Sequence, residues 1–151
     1  MDFYWGCELY PRVFGFDVKV WTNCRMGMMG WGVLNVAYAY KQLKDVGYVS
    51  DSLAVSVALQ LIYICKFFWW ETGYWCSIDI MHDRAGYYLC WGCLVWVTCV
   101  YTSPSMYLAS RPIDLGLPLA SFIFLSGFLA IFINYDSDNQ RYIFRKNKGD
   151  V

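Results

Sequence analysis

Charge is what this chain has least of. Asp, Glu, Lys and Arg make up 16% of its 151 residues, where an ordinary soluble domain carries about 25%. The 12 basic and 12 acidic side chains cancel, so no basic excess exists to hold a phosphate backbone, and a nucleic-acid partner is excluded. Histidine occurs once, at position 82. A non-haem iron triad uses two histidines and a carboxylate, so no metal site is expected. The seven cysteines are odd in number and follow no framework spacing. The one C-x-x-C, Cys90 to Cys93, lies inside an apolar run, not at the start of a helix in a βαβ unit, and reads as small residues packing. No second pair exists to complete a zinc site. A cleavable signal is also missing, because "MDFYWGCELYPR" has acids where a basic region belongs.

Apolar residues are abundant, at 58% of the chain with 21% aromatic, and mean hydropathy is +0.33. They are concentrated in four runs, approximately 26–40, 53–70, 86–108 and 113–135. A membrane-spanning helix needs about 20 apolar residues. The fourth run meets that outright, the second and third with some polar content, and the first is short. The expected fold class is all-α, a polytopic membrane bundle of about four helices, with 136–151 as a basic cytosolic tail. Tyr and Trp gather at the ends of the runs (Trp69, Trp70, Tyr87, Tyr88, Tyr135), as interfacial residues do. Gly27, Gly30 and Gly32 lack the spacing of a dinucleotide fingerprint and suit close helix packing. With four spans, one side holds Arg12, Lys19, Arg25, Arg84, Arg141, Arg145, Lys146 and Lys148. The other holds Lys41, Lys44 and Arg111. That asymmetry places both termini in the cytosol.

Between the second and third runs the chain gathers Glu71, Asp79, His82 and Asp83. Asp79, His82 and Asp83 stand at i, i+3 and i+4, the spacing of one helical face. Two readings stay open, a solvated loop and a cluster that handles protons at the membrane surface, where ionisable groups are costly and functional by default. Tyr63 lies within the second run, a hydroxyl in need of a partner. Lys66, three residues on, is near enough to the end of the run to snorkel. In the tail, Arg141 and Arg145 are one helical turn apart with Lys146 beside them. Paired guanidiniums can grip phosphate bidentately, and a basic flank after a span has the same composition.

Several blocks carry a resemblance: "DFYWGCELYPR", "FDVKVWTNCRMGMM", "FFWWETGYWCSIDIMHDRAGYYLCWGCLVWV", "VYTSPSMYL" and "NQRYIFRKN". Together they resemble the sterol reductases of the endoplasmic reticulum, a family of C14 and C7 enzymes that includes the lamin B receptor, with the C7 branch nearest. The resemblance implies a multi-pass protein of that membrane which reduces a sterol ring double bond with NADPH. Its partners would be the sterol substrate and membrane lipid, with association with other sterol-biosynthesis membrane proteins also expected. By the same resemblance Tyr63 falls on a tyrosine that takes part in protonating the sterol, and Glu71, Asp79, His82 and Asp83 on the acidic block beside the substrate. Arg141, Arg145 and Lys146 fall on the stretch that meets the NADPH phosphates. Tyr10 stands where the family has Asn, and Thr98 where Pro is common. The resemblance also implies an internal piece or truncated form, inactive alone, since the family has spans before this region and most of the NADPH pocket after it. A non-catalytic sterol-binding or structural membrane protein of the same family is the alternative. An unpolarised alkene accepts hydride poorly, so the chemistry calls for an acid in a dry pocket with nearby carboxylates to stabilise developing positive charge.

Overall fold

The computed structural model describes residues 1–75 and 77–147, the side chains of Ile78 and Asp79 excepted. The Asp79 carboxylate and Lys148 therefore lie outside the described residues.

The chain opens with a single turn, α1 (Asp2–Trp5), and a two-residue hairpin, β1 (Arg12–Val13) with antiparallel β2 (Phe16–Asp17). Phe14 and Gly15 between the strands both have positive φ, which a tight hairpin turn of type I′ demands. This hairpin is a small departure from an all-helical chain. Everything else is helical or short connection.

The first long helix covers residues 18–46. It comprises α2 (Val18–Val20), a wide π-type stretch at Trp21–Gly27, and α3 (Met28–Val46). Asp17 caps its start by accepting from the Val20 N–H at 3.0 Å, and Gly47 ends it in the left-handed conformation, φ 90°. α4 (Asp51–Trp69) returns. After the short turns α5 (Glu71–Tyr74) and α6 (Ile78–Met81), a third helix covers residues 87–110. It is built from α7 (Tyr87–Trp91), a second wide stretch at Gly92–Val97, and α8 (Thr98–Ser110). Pro104 cannot donate to Val100, and the hydroxyl of Ser103 donates to that carbonyl instead, at 2.7 Å. Thr98 donates its hydroxyl back to the Leu94 and Val95 carbonyls, and the helix runs through without a break. α9 (Leu117–Lys146) closes the bundle, with Pro118 in its first turn.

These helices alternate in direction. At one end Gln42 donates to the Leu108 carbonyl at 2.9 Å, and Tyr48 to Asp114 at 3.3 Å. The carboxylate of Asp114 pushes the Tyr48 phenol above its ordinary range. At the other end Arg25 pairs with Glu71, and Trp70 meets Tyr135 and Tyr142. Between the ends, Trp31 and Asn35 both donate to Gln60 Oε1 (2.7 and 2.8 Å), while Gln60 donates to Ser56 and Ser105. Such a network ties three helices together where lipid supplies no hydrophobic drive between them. The glycines let two backbones approach. A Cβ on Gly27 would lie 2.9 Å from the Cys93 carbonyl oxygen, and one on Gly30 3.1 Å from Thr98.

α4 and α9 are each long and apolar enough to cross a membrane. In α9 only Ala120 is buried, while Phe122 is 70% and Leu125 66% exposed. A water-soluble protein rarely leaves such a face bare. The expected run at 113–135 begins as helix only at Leu117, and the helix then continues through the basic tail to Lys146. At 1.5 Å per residue the rod is about 45 Å long, against a hydrocarbon core of about 30 Å.

Candidate active site

Two helix faces with one spacing confront each other at the basic end of the bundle. From α4 and the Trp70 that caps it come Tyr63, Lys66, Phe67 and Trp70, at i, i+3, i+4 and i+7; from α9 come Asp138, Arg141, Tyr142 and Arg145, at the same intervals. Gly73, Tyr74 and Ser77 close the floor of a cavity of about 350 Å³. Gly73 is required there, because a Cβ would run into the indole of Trp70.

Lys66 links the two faces. Its ammonium donates to Asn134 Oδ1 at 2.7 Å, lies 3.6 Å from Asp138 and sits 5.0 Å from the centre of the Tyr63 ring. Asp138 also accepts from Arg141 at 2.9 Å. Three cations against one carboxylate leave this cavity positive, fit for an anionic ligand.

A second cavity, of about 220 Å³, adjoins the first and shares Tyr63, Phe67 and Tyr74 with it. Its other walls are Met28, Trp31, Val97 and Tyr101, with Asn23 and Cys93. The Trp31 ring packs against Tyr63 and Tyr101 at 5.6 and 5.0 Å. Tyr63 thus stands on the partition between a positive compartment and a mostly apolar one.

Of the residues singled out in the sequence, Tyr63, Lys66, Arg141 and Arg145 are brought together here. Lys146 is exposed and lies outside the lining. The acidic block sits elsewhere. Glu71 pairs with Arg25 at 2.9 Å, and its other oxygen, buried, has no partner among the described residues. His82 is exposed. Helix α6 stops at Met81, so His82 and Asp83 lie beyond its end. The physical reason is Lys19, which is fully buried and donates to the main-chain carbonyls of Ile80 (2.5 Å) and Asp83. Beyond Met81 the chain wraps these carbonyls around the buried ammonium, which supplies the donor that a helix end lacks. Tyr10 lies under the same ammonium at 5.0 Å.

Sequence reasoning passed over Asp138, Asn134, Tyr142, Tyr74 and Asn23. The α9 residues did carry a signal. Asn134, Asp138, Arg141 and Arg145 recur at helical intervals once the helix is known to extend past the apolar run.

Comparison with known proteins finds the ergosterol biosynthesis ERG4/ERG24 family over residues 1–150. The chain is 59% identical over 150 residues to a protein of Arabidopsis thaliana named 7-dehydrocholesterol reductase, covering 99% of this chain and 35% of that protein. It is 38% identical over 146 residues to the 7-dehydrocholesterol reductase of Danio rerio (96% and 30%). With the Delta(14)-sterol reductase ERG24B of Gibberella zeae it shares 36% over 151 residues (97% and 31%). The chain spans about a third of the length of these curated relatives.

Proposed function

The chain belongs to the ERG4/ERG24 family of ergosterol biosynthesis, and from that premise we propose that it acts in the NADPH-dependent reduction of a sterol ring double bond. The C7 double bond is favoured by the names of its relatives. One observation carries the reading: Tyr63 lines both the positive cavity and the apolar one.

The donor set of the positive cavity fits NADPH. Arg141 and Arg145 offer guanidiniums one turn apart for phosphate, Lys66 adds charge, and Trp70 and Tyr142 offer aromatic faces for a flat ring. When bound, NADPH supplies the hydride. Tyr63 holds the proton, delivering it from its hydroxyl to one carbon of a double bond seated in the apolar cavity. Lys66 restrains the Tyr63 ring from the α9 side through Asn134 and Asp138. The Asp138 carboxylate pairs with both Lys66 and Arg141 and so holds these cations in place along the positive cavity. Met28, Trp31 and Val97 exclude water from the apolar side. Glu71, His82 and Asp83 take positioning roles, with Glu71 holding the end of α4 to the first helix through Arg25.

The same reading has four membrane crossings in the endoplasmic reticulum, with both termini cytosolic. Arg12, Lys19, Arg25, Arg84, Arg141, Arg145 and Lys146 all belong to the end of the bundle that carries the cavities, and that end faces the cytosol.

Isotope transfer tests the reaction in reconstituted full-length protein. With NADPH deuterated at the transferring carbon, in ordinary water, the reduced sterol should gain one deuterium. With unlabelled NADPH in heavy water, it should gain one at the neighbouring carbon. No reduced sterol, or label from only one source, would sink the proposal.

A further inference from the structure

Asn23 is 5% exposed, and neither its amide oxygen nor its amide nitrogen has a hydrogen-bond partner among the described residues. No other side chain among the described residues is buried with both ends of an amide unsatisfied; Asn35, by comparison, ties its nitrogen to Gln60. Each such orphan gives up its hydrogen bonds to water and regains none, which destabilises the fold. Native proteins tolerate that cost where a ligand or an ordered water supplies the missing partner. Asn23 lines the apolar cavity.

The backbone around it is also unusual. Asn23 lies in the wide stretch Trp21–Gly27, and Cys93, across the cavity, lies in the other wide stretch, Gly92–Val97. The two stretches pack against each other, with Gly27 admitting the Cys93 carbonyl. Single π-type turns concentrate at functional sites, and here two of them open one space.

We propose that Asn23 recognises the hydroxyl group of the substrate, its oxygen accepting the hydroxyl proton and its nitrogen donating to the hydroxyl oxygen. One alcohol satisfies both orphans at once. The other walls beside Asn23, Met28, Trp31 and Val97, suit the fused apolar rings that bear it. A cavity of about 220 Å³ takes the hydroxyl end of such a molecule and leaves the remainder to extend beyond. Asn23 is then the residue that fixes which end of the sterol enters first, and so which ring reaches Tyr63. This inference rests on the assignment of the apolar cavity to the substrate.

The test compares a fluorescent conjugated-triene sterol with its 3-deoxy counterpart, each binding to full-length protein in lipid nanodiscs and read by energy transfer from tryptophan. Wild type should prefer the alcohol by about 10- to 100-fold, the size of an interaction whose loss leaves polar groups unpaired. Asn23→Leu, close in shape, should bind both sterols alike, at the affinity wild type shows for the deoxy form. Its ligand-free thermal midpoint should match or exceed wild type, because two unsatisfied atoms are removed. Asn23→Ala provides a second variant with the same expected loss of preference. Equal weakening toward both sterols would mean a packing role, and an unchanged preference would mean that the amide serves only a water; either overturns the proposal. If the preference disappears with Asn23 while wild type shows no turnover, the reductase assignment fails and the recognition by Asn23 stands.

Discussion

Replacing Tyr63 by Phe removes one oxygen from the partition between the cavities and leaves the ring. The contacts that hold the residue are made by that ring: Trp31 at 5.6 Å, the Lys66 ammonium at 5.0 Å, and the cluster of Met28, Trp31 and Ile64. Stability should therefore move by no more than about 0.5 kcal/mol, the ordinary range for a change that opens no cavity and orphans no partner. The positive cavity keeps Lys66, Arg141 and Arg145, so nucleotide affinity should stay within about twofold. Turnover is another matter. Loss of a positioned acid commonly slows a reaction by about 10²–10⁴-fold, equivalent to about 2.7–5.4 kcal/mol of barrier. The assay is single-turnover conversion of a Δ7 sterol followed by gas chromatography and mass spectrometry, with NADPH affinity and thermal midpoint measured on the same preparation. Wild-type turnover in Tyr63→Phe would show the hydroxyl to be dispensable and refute the assignment. A parallel fall in nucleotide affinity would instead make Tyr63 part of the cofactor's packing.

Arg145→Leu should weaken NADPH by about 10- to 100-fold, the loss of one charge-assisted contact to phosphate, with sterol binding unchanged in the fluorescence assay. A shift in sterol affinity of the same size would show that the two compartments are not separate. Glycosylation tags inserted in the 47–50 connection should be modified in the lumen, and tags placed after Lys146 should not, with the reverse pattern refuting the orientation.

The helices were legible where hydropathy and capping agree. The apolar run at 53–70 became Asp51–Trp69 because a near-continuous apolar stretch with an acid in its first turn leaves little alternative. The first run looked short because Lys19 and Arg25 precede it, yet both lie within the helix of residues 18–46. Their charges are met by tertiary partners, the carbonyls beside α6 and the carboxylate of Glu71, and hydropathy has no access to such partners. The acidic block could be gathered from the sequence but not placed, since a helical interval forecasts a shared face only if the helix continues, and α6 ends at Met81. Arg141 and Arg145 could be paired by spacing alone, whereas their confrontation with Tyr63 depends on how α9 packs against α4. Asn23 gave no signal at all, because an unsatisfied amide is a property of a packed interior.

The absence of any break in α9 has a mechanical consequence. The helix meets α4 where Gly127 abuts Leu59, and Arg145 lies 18 residues further along the same rod, about 27 Å away. Tilting the rod by about 10° around that contact would carry its guanidinium by about 5 Å relative to Tyr63. The apolar part of α9, from Leu117 to Tyr135, is about 28 Å long and matches the hydrocarbon core, so a thinner bilayer would be met by tilting. The thickness of the surrounding lipid, set by acyl length and sterol content, thus works as a lever on the geometry of the cavity between α4 and α9. Activity should then follow the bilayer's composition even where substrate and cofactor are saturating.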